Sequence, residues 1–246
     1  MALFLPKRRK RHLPRLPEGV RIYAIGDVHG RVDLLDQVFS RIDAHLATHP
    51  IAYPAQILIG DYIDRGPASR QVLDRLIDRT RAHKTIFLRG NHETFVFEFL
   101  RRPAVLGDWG RLGGFETLLS YGLKPSLDPD TATQKELAIA LRAALPASHQ
   151  IFLKNLHTSF SCGDFYFVHA GVRPGIPLAK QSEEDLLWIR EEFLLHEEDF
   201  GKFIVHGHTP VHEVDVRSNR INIDTGAYAT GRLTCLVMQD ETFEPL

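Results

Sequence analysis

Short apolar runs alternate with amphipathic stretches through the first hundred residues, and each run stops in a small, polar loop. Arg21-Ile22-Tyr23-Ala24-Ile25 ends in Gly26-Asp27-Val28-His29-Gly30, after which Val32, Leu35, Val38, Phe39, Ile42 and Leu46 recur at three- and four-residue intervals. A run that is apolar throughout suits a strand buried on both faces, and the spacing after it suits a helix with one face on a core. The unit repeats. Gln56 to Ile59 leads into Gly60-Asp61-Tyr62-Ile63-Asp64-Arg65-Gly66 and a helix marked by Val72, Leu73, Leu76 and Ile77, with Pro67 near its start. A third copy has Thr85 to Leu88 as strand, Arg89-Gly90-Asn91-His92-Glu93 as loop, and Phe95, Val96, Phe99 and Leu100 on a helix. Three such units in series predict an α/β fold with parallel strands and covering helices, its ligand site at the carboxyl ends of the strands.

Residues 101–160 break the rhythm: helical stretches lie between Gly- and Pro-containing turns, with no clear strand, which predicts a helical insertion over the site that shapes access more than chemistry. Phe165 to Val168 then reads as a strand ending in His169-Ala170-Gly171. Ser182 and Asp185 open a helix expected to run through Leu194, and Phe203 to Val205 is a strand ending in His206-Gly207-His208-Thr209-Pro210. Arg220 to Ile223 and Leu233 to Met238 are expected to finish the fold as antiparallel strands.

Composition narrows this little: 246 residues, 43% hydrophobic and 25% charged, fit one large α/β domain or two small ones. No apolar stretch approaches the roughly 20 residues of a membrane-spanning helix, and Leu3 to Leu5 make no signal-peptide core, so a cytoplasmic protein without a membrane span is expected. Cys162 and Cys235 lack metal-binding spacing and read as free thiols. Charge is informative at one end. The net charge of −1 hides six Lys/Arg and no acid in residues 1–16, beside Pro6 and Pro14. That segment reads as a flexible basic arm, either a solvated tail or one drawn weakly to an anionic partner, leaving 17–246 as a single domain.

Five of the loops after strands carry Asp27 and His29, Asp61, Asn91, His169, and His206 with His208, each followed closely by a small residue. Imidazole, carboxylate and amide oxygen without thiolate form a ligand set for Mn²⁺, Fe²⁺, Zn²⁺ or Mg²⁺. So many candidate ligands exceed what one open catalytic ion needs; they suit two ions about 3.5–4 Å apart sharing a carboxylate, as in hydrolytic phosphoryl transfer.

Gly26-Asp27-Val28-His29-Gly30, Gly60-Asp61-Tyr62-Ile63-Asp64-Arg65-Gly66, Gly90-Asn91-His92-Glu93, His169-Ala170-Gly171 and Gly207-His208-Thr209-Pro210 resemble the ordered motifs of the phosphoprotein phosphatase family, within the calcineurin-like metallophosphoesterases. The resemblance implies a β-sandwich of two mixed sheets flanked by helices. It implies that Asp27, His29 and His208 hold a first metal, Asn91 and His169 a second, and that Asp61 bridges them, with Mn²⁺ the leading candidate. It further implies His92 as general acid oriented by Asp64, and Arg65 and Arg190 as phosphate-binding arginines. His206 falls outside the ligand pattern and reads as structural. Gly113 to Gly122 and Asp224-Thr225-Gly226-Ala227 resemble stretches of smaller bacterial members and receive no catalytic role; Asp224 fits either a residue behind the ligands or a turn cap. The activity implied is dephosphorylation of phosphoserine or phosphothreonine in proteins, with dinucleoside polyphosphates or other small phosphoesters as the alternative substrates. A non-catalytic binding module recruited by the arm is the reading from another class.

Overall fold

The computed structural model describes residues 13–246. In chain order it contains β1 (Val20–Ile25), α1 (Val32–Thr48), β2 (Tyr53–Leu58), α2 (Ser69–Arg79), β3 (Thr85–Phe87) and α3 (Asn91–Arg101). The insertion follows as α4 (Leu106–Arg111), α5 (Gly114–Ser120), α6 (Thr131–Ala144) and α7 (Ala147–Lys154). Then come β4 (Ser159–Cys162), β5 (Phe165–Val168), α8 (Glu183–Trp188), α9 (Glu191–Leu194), β6 (Phe203–His206), β7 (Asp215–Val216), β8 (Arg220–Asn222), α10 (Ala227–Thr230), β9 (Cys235–Gln239) and β10 (Thr242–Pro245).

Two five-stranded sheets form, ordered β10-β9-β1-β2-β3 and β4-β5-β6-β8-β7. In the first, β1, β2 and β3 run parallel and β9 and β10 antiparallel. In the second, β5, β6 and β8 run parallel while β4 and β7 are antiparallel edges. Both are mixed sheets. The uniform apolarity of the strands follows from their having two covered faces. On β1, Ile22 and Ala24 enter the core between the sheets, against Ile57, Phe165, Phe167 and Val205. Tyr23 and Ile25 point the other way, into the layer under α1 and α2 with Leu35, Phe39, Val72 and Leu76. Period-two alternation thus buries every residue of the run, and a polar substitution on either face would strand a polar group in a core.

Four expectations need correction. The Arg220 strand pairs antiparallel with β7 and parallel with β6 but not with the Leu233 to Met238 run that follows it, because β9 leaves for the other sheet and pairs antiparallel with β1. The helix begun by the Ser182 cap stops at Ile189, whose extended ψ of 141° breaks it, so Arg190 sits in a junction rather than on a helix face. The insertion ends earlier than residue 160, since Ser159 and Phe160 already pair with β5. The basic arm also ends earlier: Arg15 N–H donates to the Asp164 carboxylate at 3.0 Å, Leu16 N–H to the Asp240 carbonyl at 2.8 Å, and the Leu16 side chain is buried between the sheets. Counting charges up to Arg15 missed that one leucine anchors this segment. Residues 1–12, which carry most of the basic run, lie outside the described residues, so an anionic partner for them rests on charge alone.

The insertion is packed, not draped. Val105, Leu106, Trp109, Leu118, Leu137 and Leu141 continue the core beneath α1, α2 and α3. A relay through the buried His149 ties it to α2: His149 Nε2 donates to the exposed Asp74 Oδ1 at 2.8 Å, and its Nδ1 accepts from the Tyr121 hydroxyl at 2.7 Å.

Candidate metal centre

All six parallel strands end at one place. The loop after β1 brings Asp27 and His29, that after β2 Asp61, Asp64 and Arg65, and α3 after β3 begins with Asn91 and His92. From the second sheet, His169 follows β5, His208 follows β6 and Asp224 follows β8. Asp27, His29, Asp61, Asp64, Asn91, His92, His169, His208 and Asp224 are all buried.

Bringing these loops together strains the backbone. Among the described non-glycine residues only six have positive φ, and His29 (43°), Asp61 (50°), Asp64 (70°), Arg65 (66°) and His208 (65°) are five of them. Each costs on the order of 1–3 kcal/mol and survives only because its surroundings hold it. The β2 and β3 loops touch backbone to backbone: Gly60, at φ 111°, would place a Cβ 2.5 Å from the Gly90 nitrogen, and a Cβ on Gly90 would lie 2.1 Å from Asp61 Oδ1. Glu93 supplies much of the holding force. Its Oε2 accepts from the amides of Asp61 (3.0 Å) and Gly90 (2.8 Å), and its Oε1 accepts from that of Tyr62 (2.8 Å). Burial, then the charge of Asp61, pushes this carboxyl up to about 7 against the pull of those amides.

The imidazoles are aimed by their far nitrogens. His29 Nδ1 donates to the Ile63 carbonyl at 2.9 Å, leaving Nε2 3.4 Å from Asp61 Oδ2. His169 Nδ1 donates to the Ile59 carbonyl at 3.0 Å, leaving Nε2 3.0 Å from Asn91 Oδ1 and 3.4 Å from Asp61 Oδ1. With the ring proton committed to Ile59, His169 Nε2 and Asn91 Oδ1 present lone pairs to each other, a contact that a shared cation makes favourable. Burial lowers the His29 pKa to about 3 and that of His208 to about 2, so both are neutral, the form that binds metal. Burial, followed by the charges of Asp224 and Asp61, raises Asp27 well above the carboxylate range. Burial would raise Asp61 too, but the imidazoles of His169, His92 and His29 outweigh it and hold that carboxyl down.

Cations fit this residue set. Asp27 Oδ1 and His208 Nε2 are buried with no hydrogen-bond partner, a costly state unless a cation completes them. Ligand atoms of His29, Asp61 and His92 lie within 4.8 Å of one another, as do those of Asp61, His169 and His208. Asp61 belongs to both groups. His208 falls in the second group, its ring centroid 5.0 Å from that of His169, where the resemblance implied a place with Asp27 and His29; its backbone N–H donates to Asp27 Oδ2 at 3.1 Å.

His92 Nδ1 donates to Asp64 Oδ2 at 2.7 Å, and its Nε2 lies 3.3 Å from Arg65 Nη2 and 3.8 Å from Asp61 Oδ2. Burial would lower this pKa, yet Asp61 and the Asp64 hydrogen bond raise it above the usual histidine value. The insertion reaches this pair directly, which its expected role in access did not anticipate. Thr117 Oγ1 donates to Asp64 Oδ1 at 2.5 Å and accepts from the Asp64 amide at 2.9 Å; Trp109 Nε1 donates to Asp64 Oδ2 at 2.9 Å. Thr117 lay in the quoted Gly113 to Gly122 stretch and Glu93 in the Gly90 motif, but nothing in their spacing shows what they bond. Arg190 is exposed and donates to Thr209 Oγ1 at 3.0 Å, its charge felt by His169 and His208. His206, fully buried, sets its ring edge on Phe193 at 4.8 Å and belongs to neither ligand group. Asp224 caps the following turn, its Oδ1 accepting from Gly226 N–H at 2.9 Å; burial raises its pKa to about 6.

A carboxylate shared by two sets of imidazoles, with a guanidinium beside it, suits attack of water on phosphorus, and the class these features define is the metal-dependent phosphoesterases. The family model for calcineurin-like phosphoesterases matches residues 20–235, and the chain belongs to that family. Among curated relatives, a bis(5'-nucleosyl)-tetraphosphatase PrpE (asymmetrical) from Anoxybacillus flavithermus is 25% identical over 231 residues, 86% of this chain and 88% of its own. A solved structure titled a putative diadenosine tetraphosphatase covers 95% of this chain and 97% of its own at 17% identity, with a TM-score of 0.62. A cold-active protein tyrosine phosphatase mutant covers 94% and 83% at 16% identity, with a TM-score of 0.59. At these identities the two structures show the fold: two mixed sheets flanked by helices.

Proposed function

We propose that the protein hydrolyses phosphoanhydrides of dinucleoside polyphosphates, the observation that carries the reading being the match over 86% of the chain with a relative named for that activity. In this reading Asp27, His29 and Asp61 hold one divalent cation, and Asp61, Asn91, His169 and His208 hold the other. The bound ions supply Lewis acidity, depressing the pKa of a water and neutralising charge on the phosphoryl oxygens. Mn²⁺ is the leading occupant, and the N/O ligand set also suits Fe²⁺, Zn²⁺ or Mg²⁺. Arg65 and Arg190 offer planar guanidinium forks to phosphoryl oxygens. His92, backed by Asp64, donates a hydrogen bond to the departing oxygen.

One feature favours a second reading. A nucleoside phosphate is a weak base and leaves without a proton, whereas the alkoxide of serine or threonine needs one, and the buried Asp64–His92 pair is built to give it. That supports dephosphorylation of phosphoserine or phosphothreonine in proteins. A substrate panel separates the two: strip the protein of metal, restore Mn²⁺, Mg²⁺, Fe²⁺ or Zn²⁺ singly, and compare diadenosine tetraphosphate with phosphopeptides. A kcat/KM at least roughly tenfold higher on the dinucleotide is expected, about 1.4 kcal/mol of discrimination. The opposite order establishes the second reading, and no turnover of either under any metal overturns both.

A further inference from the structure

Trp188 stands where the mechanism above does not use it. It is the last residue of α8, just before the helix breaks at Ile189. Its ring meets His208 edge-on at 6.2 Å and Phe95 at 6.2 Å, yet 40% of the residue is exposed. The other tryptophan, Trp109, is fully buried. Trp188 instead lines an open groove of about 850 Å³ with Ile189, Arg190, Glu191, Glu192 and Leu195. The groove therefore includes a ring whose neighbour is His208 of the metal centre.

Its lining is mixed in a specific way. Arg173, also on its wall, is neutralised by Asp185 at 2.8 Å, whereas Arg190 pairs with no carboxylate among the described residues and contacts only the Thr209 hydroxyl. The groove thus offers one cation paired with no carboxylate and one open aromatic ring, and its lining also carries the exposed carboxylates of Glu184, Glu191 and Glu192. A phosphate chain fits beside the cation. A flat heterocycle fits on the ring, since every nucleobase has a π-face to stack, and sugar hydroxyls are donors that carboxylates accept.

We propose that this groove is a nucleoside subsite in which Trp188 stacks the base of a nucleoside phosphate whose phosphorus lies at the metal centre and whose phosphate chain passes Arg190. The proposal rests on the dinucleoside polyphosphate reading and names the residue that recognises the base. It makes Trp188 a determinant of specificity: the ring selects a base-bearing substrate over a bare phosphoanhydride.

The test compares Trp188→Leu and Trp188→Phe with the wild-type chain on diadenosine tetraphosphate and on tripolyphosphate, which has the anhydride but no base. Base stacking is strong enough that the ratio of kcat/KM for the dinucleotide over tripolyphosphate should fall roughly tenfold or more in Trp188→Leu. Trp188→Phe should recover most of it. Independently of turnover, AMP should quench the wild-type tryptophan fluorescence saturably, and ribose 5-phosphate should not. An unchanged ratio in Trp188→Leu, or equal quenching by the two phosphates, overturns the subsite. The two readings fail separately: AMP-specific quenching without dinucleotide cleavage sinks the substrate assignment and keeps the subsite, while dinucleotide cleavage with an unchanged ratio does the reverse.

Discussion

Thr117→Val tests whether the insertion takes part in the chemistry. The substitution nearly preserves volume, so no cavity opens in the core around Leu118, and the effect falls on hydrogen bonds. The Thr117 hydroxyl donates to Asp64 Oδ1 at 2.5 Å and accepts from the Asp64 amide at 2.9 Å. The amide keeps the Ser69 hydroxyl at 3.0 Å, but Oδ1 loses its donor inside a fully buried site. A hydrogen bond to a charged group contributes about 1.5–3 kcal/mol, so unfolding free energy should fall by about 2 kcal/mol in urea titrations. Asp64 then keeps only the Trp109 and His92 bonds, both to Oδ2, and its plane is free to turn. If half or more of that energy serves to orient His92, kcat on a phosphoserine peptide should drop roughly 5- to 30-fold, at 1.36 kcal/mol per decade. p-Nitrophenyl phosphate, whose leaving group needs no proton, should lose less than roughly threefold. Thr117→Ser should restore both bonds and most of the rate. Equal losses on the two substrates would refute an orienting role for Thr117, and so would an unaltered peptide rate alongside the stability loss.

Three further substitutions address the remaining parts. His92→Asn should retain metal yet lose most turnover on substrates with poor leaving groups and less on p-nitrophenyl phosphate; parallel losses would count against a general acid. Asp61→Asn removes the charge common to both ligand groups, so metal content after dialysis, read by atomic emission, should fall for both ions, and full retention would argue against bridging. Glu93→Gln replaces one of two acceptor oxygens by an NH₂ facing buried amides, either those of Asp61 and Gly90 or that of Tyr62. The cost is about 2–4 kcal/mol. For a domain of this size that is a fall in Tm of roughly 4–16 °C; a Tm within a degree of wild type would show that the clamp is not needed.

What the sequence made legible and what it did not divide along a physical line. Strand-end residues such as Asp27, Asp61, Asn91 and His169 could be placed because a parallel strand buried on both faces has a readable apolar pattern, and the polar residue where it stops must surface at the sheet's carboxyl edge. Whatever is carried by that one-dimensional pattern transfers to the fold. Contacts that depend on how layers meet do not. His208 sits six residues before Val214 in the chain, but its ring direction is set by a φ of 65° and by the approach of the second sheet, so nothing in its spacing tells which imidazole it joins. Leu16 looked like part of a basic tail because its neighbours are charged, and only the gap between two sheets explains its burial. Thr117 is 53 positions from Asp64, and its hydroxyl matters because α5 packs on α2 and turns that face inward. The chemistry-bearing atoms are thus legible one strand at a time, while the shell that aims them is a property of packing. The strain shared by His29, Asp61, Asp64, Arg65 and His208 is where the two meet: local sequence alone would relax each of those residues out of αL, and the packed loops keep all five there.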